Sequence, residues 1–188
     1  MNQDQKLLHF EYVVKGLLRW YTEITGNQAQ NDLSTLKALK LLFFVSAARS
    51  RSNAPNPLLD DVFNEYVAMP YGHVESEIYS QLVQRGGQLK YYIIDNRKTV
   101  LRPDVNIEEL DNEVMGAYKT EIDSSIEFLK KINPGLILLP PFSLVDLSHT
   151  WYSWKKYYTL ARAEANNSKS IPTEEIKKED KIFNLQPF

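Results

Sequence analysis

Apolar positions recur every three or four residues along much of this 188-residue chain, which is the pattern of amphipathic helices. Over residues 3–24 they form one face, and Gly26 follows as a stop signal. The run "LKALKLLFFVSAA" at 36–48 is apolar nearly all round, so it predicts a helix in the middle of the core. We expect its two interrupting lysines, Lys37 and Lys40, to emerge together on one edge of that helix.

The clearest β pattern is a hairpin, with "LKYYIID" and "TVLR" joined through a turn at "DNRK". Two strands are marginal by themselves, so the hairpin should pack on the helices or extend a small sheet. Further helices are predicted at 74–84 (ended by Gly86-Gly87), 107–132 (with or without a separate first turn), 143–149, 151–161 and after Pro172. The predicted fold class is mostly α with a small β-hairpin or sheet (α+β), a compact domain of about six to seven helices.

The amino-acid composition excludes or disfavours several classes of function. With 22 basic and 24 acidic side chains the net charge is -2, so nucleic-acid binding is not expected. There is no cysteine, which excludes disulfides, thiolate metal sites and cysteine nucleophiles. We find neither a signal-peptide pattern nor an apolar run long enough to cross a membrane, so a cytoplasmic protein is predicted.

The stretch "YVAMPYGHVESEIY" at 66–79 places His73, Glu75 and Glu77 within five residues. Metal-binding helices space their ligands three or four apart, whereas these are two apart and point in different directions on a helix. We therefore predict no metal site here. The chain also lacks the glycine-rich loops that bind nucleotides, and no cofactor is predicted.

Two further groups of residues allow more than one interpretation. Asp146 and His149 lie three apart, as in the acid–base half of a hydrolase triad, or Asp146 caps a turn and His149 closes a helix. No Gly-x-Ser-x-Gly elbow supplies a nucleophile for the first alternative. The aromatic run 151–158, interleaved with two lysines, suits a core helix, a protein interface or a nucleic-acid stacking surface.

Several segments together resemble the Panacea domain family, which includes SocA-like antitoxins and the phage-associated GepA-like proteins. They are "LKLLFF" at 39–44, "YVAMPYGHVESEIY" at 66–79, "LVDLSHT" at 144–150 followed by Trp154, and "IPTEEIKKEDKIF" at 171–183. The resemblance divides the chain into an N-terminal amphipathic helix and linker (1–32) and a Panacea-like helical domain (33–184). Where the family typically has a proline, this chain has His73.

The resemblance implies a mostly helical, non-enzymatic protein that binds and neutralises a cognate toxin, usually encoded adjacently. It acts by occluding the toxin or, as SocA does, by delivering it to a ClpXP-type protease. No catalytic residues carry over from the family. The alternatives are a phage or mobile-element scaffold or regulatory protein that binds a host protein and, less favoured, a hydrolase that uses Asp146 and His149.

The resemblance also suggests where a partner binds. Tyr71-Gly72 would bend the chain so that Val74, Ile78 and Leu82 dock on the core, leaving His73, Glu75 and Glu77 partly exposed. These exposed groups either contact a partner or form a solvated helix edge. The oligomeric state is left open, because the first helix can pack inward or pair with a second copy. The predicted partner-binding residues are Tyr71, His73, Glu75, Trp151 and Trp154.

Overall fold

The structure, a computed structural model, describes residues 1–84 and 89–184. Its helices are α1 (Gln3–Thr25), α2 (Thr35–Ala47), α3 (Ser76–Tyr79), α4 (Leu110–Glu113), α5 (Gly116–Ile132), α6 (Pro141–Thr150), α7 (Tyr152–Ala163) and α8 (Thr173–Lys178). Its strands are β1 (Tyr66–Met69), β2 (Gly72–Glu75), β3 (Tyr92–Ile94), β4 (Thr99–Leu101) and β5 (Lys169–Ser170). Helical turns of other pitch lie at Gln28–Gln30, Leu58–Val62, Ser80–Gln84, Ile107–Glu109 and Leu136–Leu138.

The predicted α+β class is confirmed, because helices dominate the described residues and the strands form two small antiparallel sheets. One sheet has the order β2-β1-β5, with Ala68 opposite His73 and Met69 opposite Gly72. The other is the predicted hairpin of β3 and β4. Among the described residues, no helix combines the length and the hydrophobicity that a membrane crossing requires.

The helix α1 packs inward and belongs to the same core as α2 and α5. Phe10, Val14 and Leu17 are fully buried on its inner face. Gly16 lets α5 approach closely, since a Cβ there would lie 2.5 Å from Cδ1 of Ile126. Asn2 caps the start of α1 by accepting from an amide of the first turn, and the predicted stop, Gly26, ends the helix in the left-handed conformation, with φ of 73°.

A buried carboxylate connects α1 to the β3–β4 hairpin. Glu11 accepts backbone N–H groups from Lys90 (3.1 Å), Tyr91 (2.6 Å) and Tyr92 (3.0 Å). Burial raises the pKa of Glu11, while these hydrogen bonds lower it and favour the ionised form. The hairpin thereby leans on the helical core, as its marginal size requires.

Several predicted elements differ from the structure. Val74 lies in β2, so the predicted helix 74–84 is shorter and begins at Ser76; its predicted end at Gly86-Gly87 lies outside the described residues. Of the two alternatives for 107–132, the structure has the one with a separate first turn, because the helix is interrupted at 114–115. The helix predicted from Ser143 begins earlier, at Pro141, because proline suits a first turn.

The expectation that Lys37 and Lys40 emerge on an edge of α2 is wrong. Both side chains are fully buried. The Lys37 ammonium is 2.6 Å from Asp32, just before the helix, whereas Lys40 points toward the β1–β2 turn. Both lysines lie where α2 is covered by its neighbours, which include α1, α5, α6 and β2, so neither side chain reaches water.

Candidate functional site

The turn between β1 and β2 requires a glycine. Gly72 has φ of 92°, a conformation that side chains with a Cβ rarely adopt. A Cβ there would lie 2.4 Å from Oγ of Ser148 and 3.2 Å from Nζ of Lys40. The turn is therefore pressed against α6 and α2 with no space for a larger residue.

Three helices each supply one donor to the backbone carbonyls of this turn. One of these donors is Nε2 of His149, which must carry a proton because a carbonyl can only accept a hydrogen bond. The three hydrogen bonds hold the turn from three directions. The side chain of Tyr71, the residue after Pro70, faces outward. The bonds run from Trp154 Nε1 to Met69 (2.9 Å), from His149 Nε2 to Pro70 (3.2 Å) and from Lys40 Nζ to His73.

Behind the turn, His73 is the centre of a buried polar chain. Its backbone N–H donates to Oγ of Ser148 at 3.0 Å, and its Nδ1 lies 2.9 Å from the same oxygen. Its Nε2 lies 2.8 Å from Oγ of Ser153, whose N–H in turn donates to the carboxylate of Glu179. The ring stacks on Phe43 at 3.8 Å. His73 thus joins β2 to α2, α6, α7 and the segment after α8.

Burial favours the neutral forms of the bases at this turn. It lowers the pKa of Lys40 to about 7. It also lowers the pKa of His73 well below its ordinary value, with further lowering from the charges of Lys40 and His149. The pKa of His149 is lowered by burial too, although its bond to the Pro70 carbonyl opposes this. Lys40 and His73 have no exposed surface, so they hold the turn and do not contact a ligand.

Outside the turn lies a group of rings, two exposed and three half-buried, which we call the aromatic surface: Tyr71, Phe142, His149, Trp154 and Tyr158. Tyr71 and Phe142 are 56% and 63% exposed and meet edge-to-face, with centroids 6.1 Å apart. His149 stacks on Trp154 at 3.7 Å, and Trp154 stacks on Tyr158 at 5.0 Å. The bond from His149 to the turn connects the stack to the exposed pair.

Of the five predicted partner-binding residues, the structure places only Tyr71 and Trp154 at this surface. The expectation that His73 and Glu75 are partly exposed is wrong, because both are fully buried. Every residue of β2 is covered, since α2 and α6 pack against this strand. Trp151 is also fully buried. These three side chains are inaccessible to a partner that docks on the folded surface.

The buried residues of that set have structural contacts. Glu75 accepts a hydrogen bond from Lys6 at 2.9 Å and caps α3 through the Ile78 N–H at 2.8 Å. Trp151 donates its indole N–H to the Ile182 carbonyl at 2.9 Å. The second acid of the motif, Glu77, keeps the partial exposure that was expected of it.

The Asp146–His149 pair has no acid–base geometry. Asp146 is exposed in the middle of α6, so its predicted capping role is wrong as well. In the described part of the chain its carboxylate makes no hydrogen bond to His149, whose Nε2 is engaged by Pro70. The two side chains interact only through a weak charge effect on the pKa of His149.

Sequence reasoning missed several residues of the site: Lys40, Phe142, Ser148, Ser153 and Glu179. A signal was present for some of them. The serines interrupt the apolar run around "LVDLSHTWYS", and Lys40 interrupts a helix that is otherwise apolar. A polar residue inside such a run indicates a buried hydrogen bond. Its partner, however, lies far away in sequence and cannot be read from the run.

No family model, curated protein or solved structure matches this chain. Within residues 1–84 and 89–184, no group of three or more His, Asp or Glu side chains is arranged to hold a metal ion. The Panacea resemblance therefore stays a prediction.

Proposed function

We propose that this chain is an antitoxin-like protein that binds and neutralises a cognate protein toxin through the aromatic surface. The observation that carries the proposal is the exposed Tyr71–Phe142 pair beside a turn that three helices hold in place. Aromatic side chains dominate the hot spots of protein interfaces. A fixed backbone reduces the entropy lost when a partner orders them.

The location of the resembling segments supports the proposal. The segment 39–44 contributes Lys40, and 66–79 is the turn itself. The segment 144–150 contributes His149, and 171–183 contributes the Glu179 carboxylate behind His73. Four segments that are far apart in sequence thus meet at one place, which is the pattern expected if the resemblance marks one common site.

On this proposal the protein acts in the cytoplasm, where a toxin encoded next to it would be made. It would either cover the functional surface of the toxin or deliver the toxin to a ClpXP-type protease. The alternative, a phage or mobile-element scaffold that binds a host protein, would use the same surface on a different partner.

The test is a growth assay with the adjacent reading frame. We expect its product to arrest growth when expressed without this protein, and co-expression to restore growth. The variant Tyr71→Ala/Phe142→Ala should lose the rescue, whereas the control Tyr152→Ala should keep it. Tyr152 is 64% exposed, makes no ring contact with the aromatic surface and lies on the same helix as Trp154. A harmless reading frame, or rescue by the double variant, would contradict the proposal.

A second strain separates the two modes of neutralisation. In cells that lack the ClpXP-type protease, an occluding antitoxin still restores growth, and the toxin accumulates in a complex. An adaptor loses the rescue there, and the toxin persists in the free form. Immunoblotting of the toxin distinguishes the two results.

A further inference from the structure

A cleft of about 460 Å³ lies between α1 and the β3–β4 hairpin, on elements that do not form the aromatic surface. Its apolar lining comes from Leu18, Tyr92, Leu101 and Ile107. Leu18 and Tyr92 are almost fully buried beneath it, whereas Leu101 is 40% exposed at its side. This volume falls within the range of about 300–1,000 Å³ that is typical of small-molecule sites, which are also mostly apolar.

Two cations lie at the cleft, and one is already neutralised. Nζ of Lys15 is 2.9 Å from the carboxylate of Asp111 and 4.0 Å from that of Glu108. The acid at the opposite end of the lining, Glu23, is paired at 2.7 Å with Lys130 of α5. Each of these charges therefore has a close partner within the protein.

Arg19 is the more loosely paired of the two cations. Its nearest carboxylates, those of Glu23 and Asp123, are 3.9 and 3.8 Å away. In the described part of the chain its guanidinium makes no hydrogen bond, although it has five N–H donors in a planar fork. The side chain is 56% exposed and lines both this cleft and a smaller adjoining one, so its donors can turn toward a ligand in either.

We propose that this cleft binds a small amphipathic anion, with its apolar body on Leu18, Tyr92 and Leu101 and its carboxylate or sulfonate on Arg19. An arginine fork matches the two oxygens of such a group. Burying the apolar body supplies the affinity, and the arginine fixes the orientation. The site is independent of toxin binding, because it uses neither the turn nor α6 and α7.

The probe for this site is 8-anilinonaphthalene-1-sulfonate, which has an aromatic body and one sulfonate. We expect the folded protein to bind one molecule of probe, measured by fluorescence titration and calorimetry. Arg19→Gln should weaken binding about fivefold, as expected for the loss of one partly exposed charge pair. Leu101→Glu, which introduces a like charge beside the apolar lining, should weaken it further. The matched control is Arg162→Gln on α7, which removes an exposed arginine away from the cleft and should leave binding within about twofold.

The neutral analogue N-phenyl-1-naphthylamine tests the role of the charge. It should bind the wild type more weakly than the sulfonate does, whereas Arg19→Gln should bind the two probes with equal affinity. Near-ultraviolet circular dichroism verifies that each variant keeps its native packing, since loosely packed states also bind the sulfonate probe. Absence of 1:1 binding, equal losses in the Arg19 and Arg162 variants, or equal affinity for both probes would each overturn the proposal.

Discussion

Lys40 is a fully buried base. Among the residues that the structure describes, it has no carboxylate beside it, and its one hydrogen bond goes to the His73 carbonyl. The titratable groups that face it are the imidazoles of His73 and His149. Since neither compensates a positive charge, the folded protein favours the neutral amine. Lys40 thus holds the turn at a cost in stability that depends on pH.

Replacing this base tests that account. The folded state holds the pKa of Lys40 at about 7, against an ordinary 10.5, so the unfolded chain binds more protons between these pH values. The contribution of Lys40 to the free energy of unfolding therefore rises with pH across this window. We expect Lys40→Met to be more stable than the wild type at pH 7, and this advantage to shrink as the pH approaches 10.

Urea denaturation at several pH values measures the effect. The loss of one donor to the His73 carbonyl, worth about 1 kcal/mol, opposes the gain but is smaller than the cost of a buried charge. Lys155→Met, at an exposed position of α7, is the control and should show no such trend. A Lys40→Met protein that is less stable at pH 7, with a pH-independent difference, would contradict this view of the turn.

At the scale of elements, the β1–β2 turn is defined by its close approach to α6. Two glycines allow the effect of steric crowding on stability to be separated from the effect of backbone conformation. Gly72 and Gly26 both have positive φ, but a Cβ at Gly26 would meet nothing within 4 Å, whereas one at Gly72 meets Ser148. The difference between alanine substitutions at the two positions therefore reports the packing of the turn.

We expect Gly26→Ala to cost about 1 kcal/mol, the price of the left-handed conformation for a side chain. Gly72→Ala should cost about 1–3 kcal/mol more, because the methyl group overpacks the contact with α6. Both losses of stability are measured by chemical denaturation, from the shift of the midpoint at an unchanged denaturant slope. Equal losses at the two positions would mean that the turn can move away from α6 without a penalty.

Some of the helices and strands could be predicted from the sequence, and others could not. The spacing of apolar residues predicted α1, α2 and α5, and aromatic and β-branched residues predicted β3 and β4. For β1 the sequence left two alternatives over 62–68, a short extended segment or a helical turn. The strand β2 was missed because all of its residues are buried, so it shows no alternation. Val74 and Ile78 are spaced as in a helix, although only Ile78 belongs to one. Short strands that are fixed by distant contacts leave too little local pattern.

For the site, the motif around the turn identified Tyr71, and the aromatic run identified Trp154. Neither indicated Phe142, which lies some seventy positions along the chain from Tyr71 and meets it only in the folded structure. His73 and Glu75 were expected at the surface because polar side chains are usually exposed. Both are instead fully hydrogen-bonded in the core, which is the condition under which polar groups are buried.

At the scale of the whole molecule, the core and the candidate interface are built from the same helices. α2 fills the centre of the core and carries Lys40, while α6 and α7 contribute both buried side chains and the aromatic surface. The turn is thereby a rigid part of the fold. We expect a partner to bind through a few exposed rings, without a rearrangement of the backbone.

The most direct measurement of the central claim is the affinity of this protein for the purified product of the adjacent reading frame, determined by calorimetry. The account predicts that Tyr71→Ala/Phe142→Ala weakens binding at least about tenfold, since each hot-spot ring is worth about 1–2 kcal/mol. Tyr152→Ala should stay within about twofold, and all variants should melt like the wild type. No binding by the wild type, or equal losses in the double variant and the control, would contradict it.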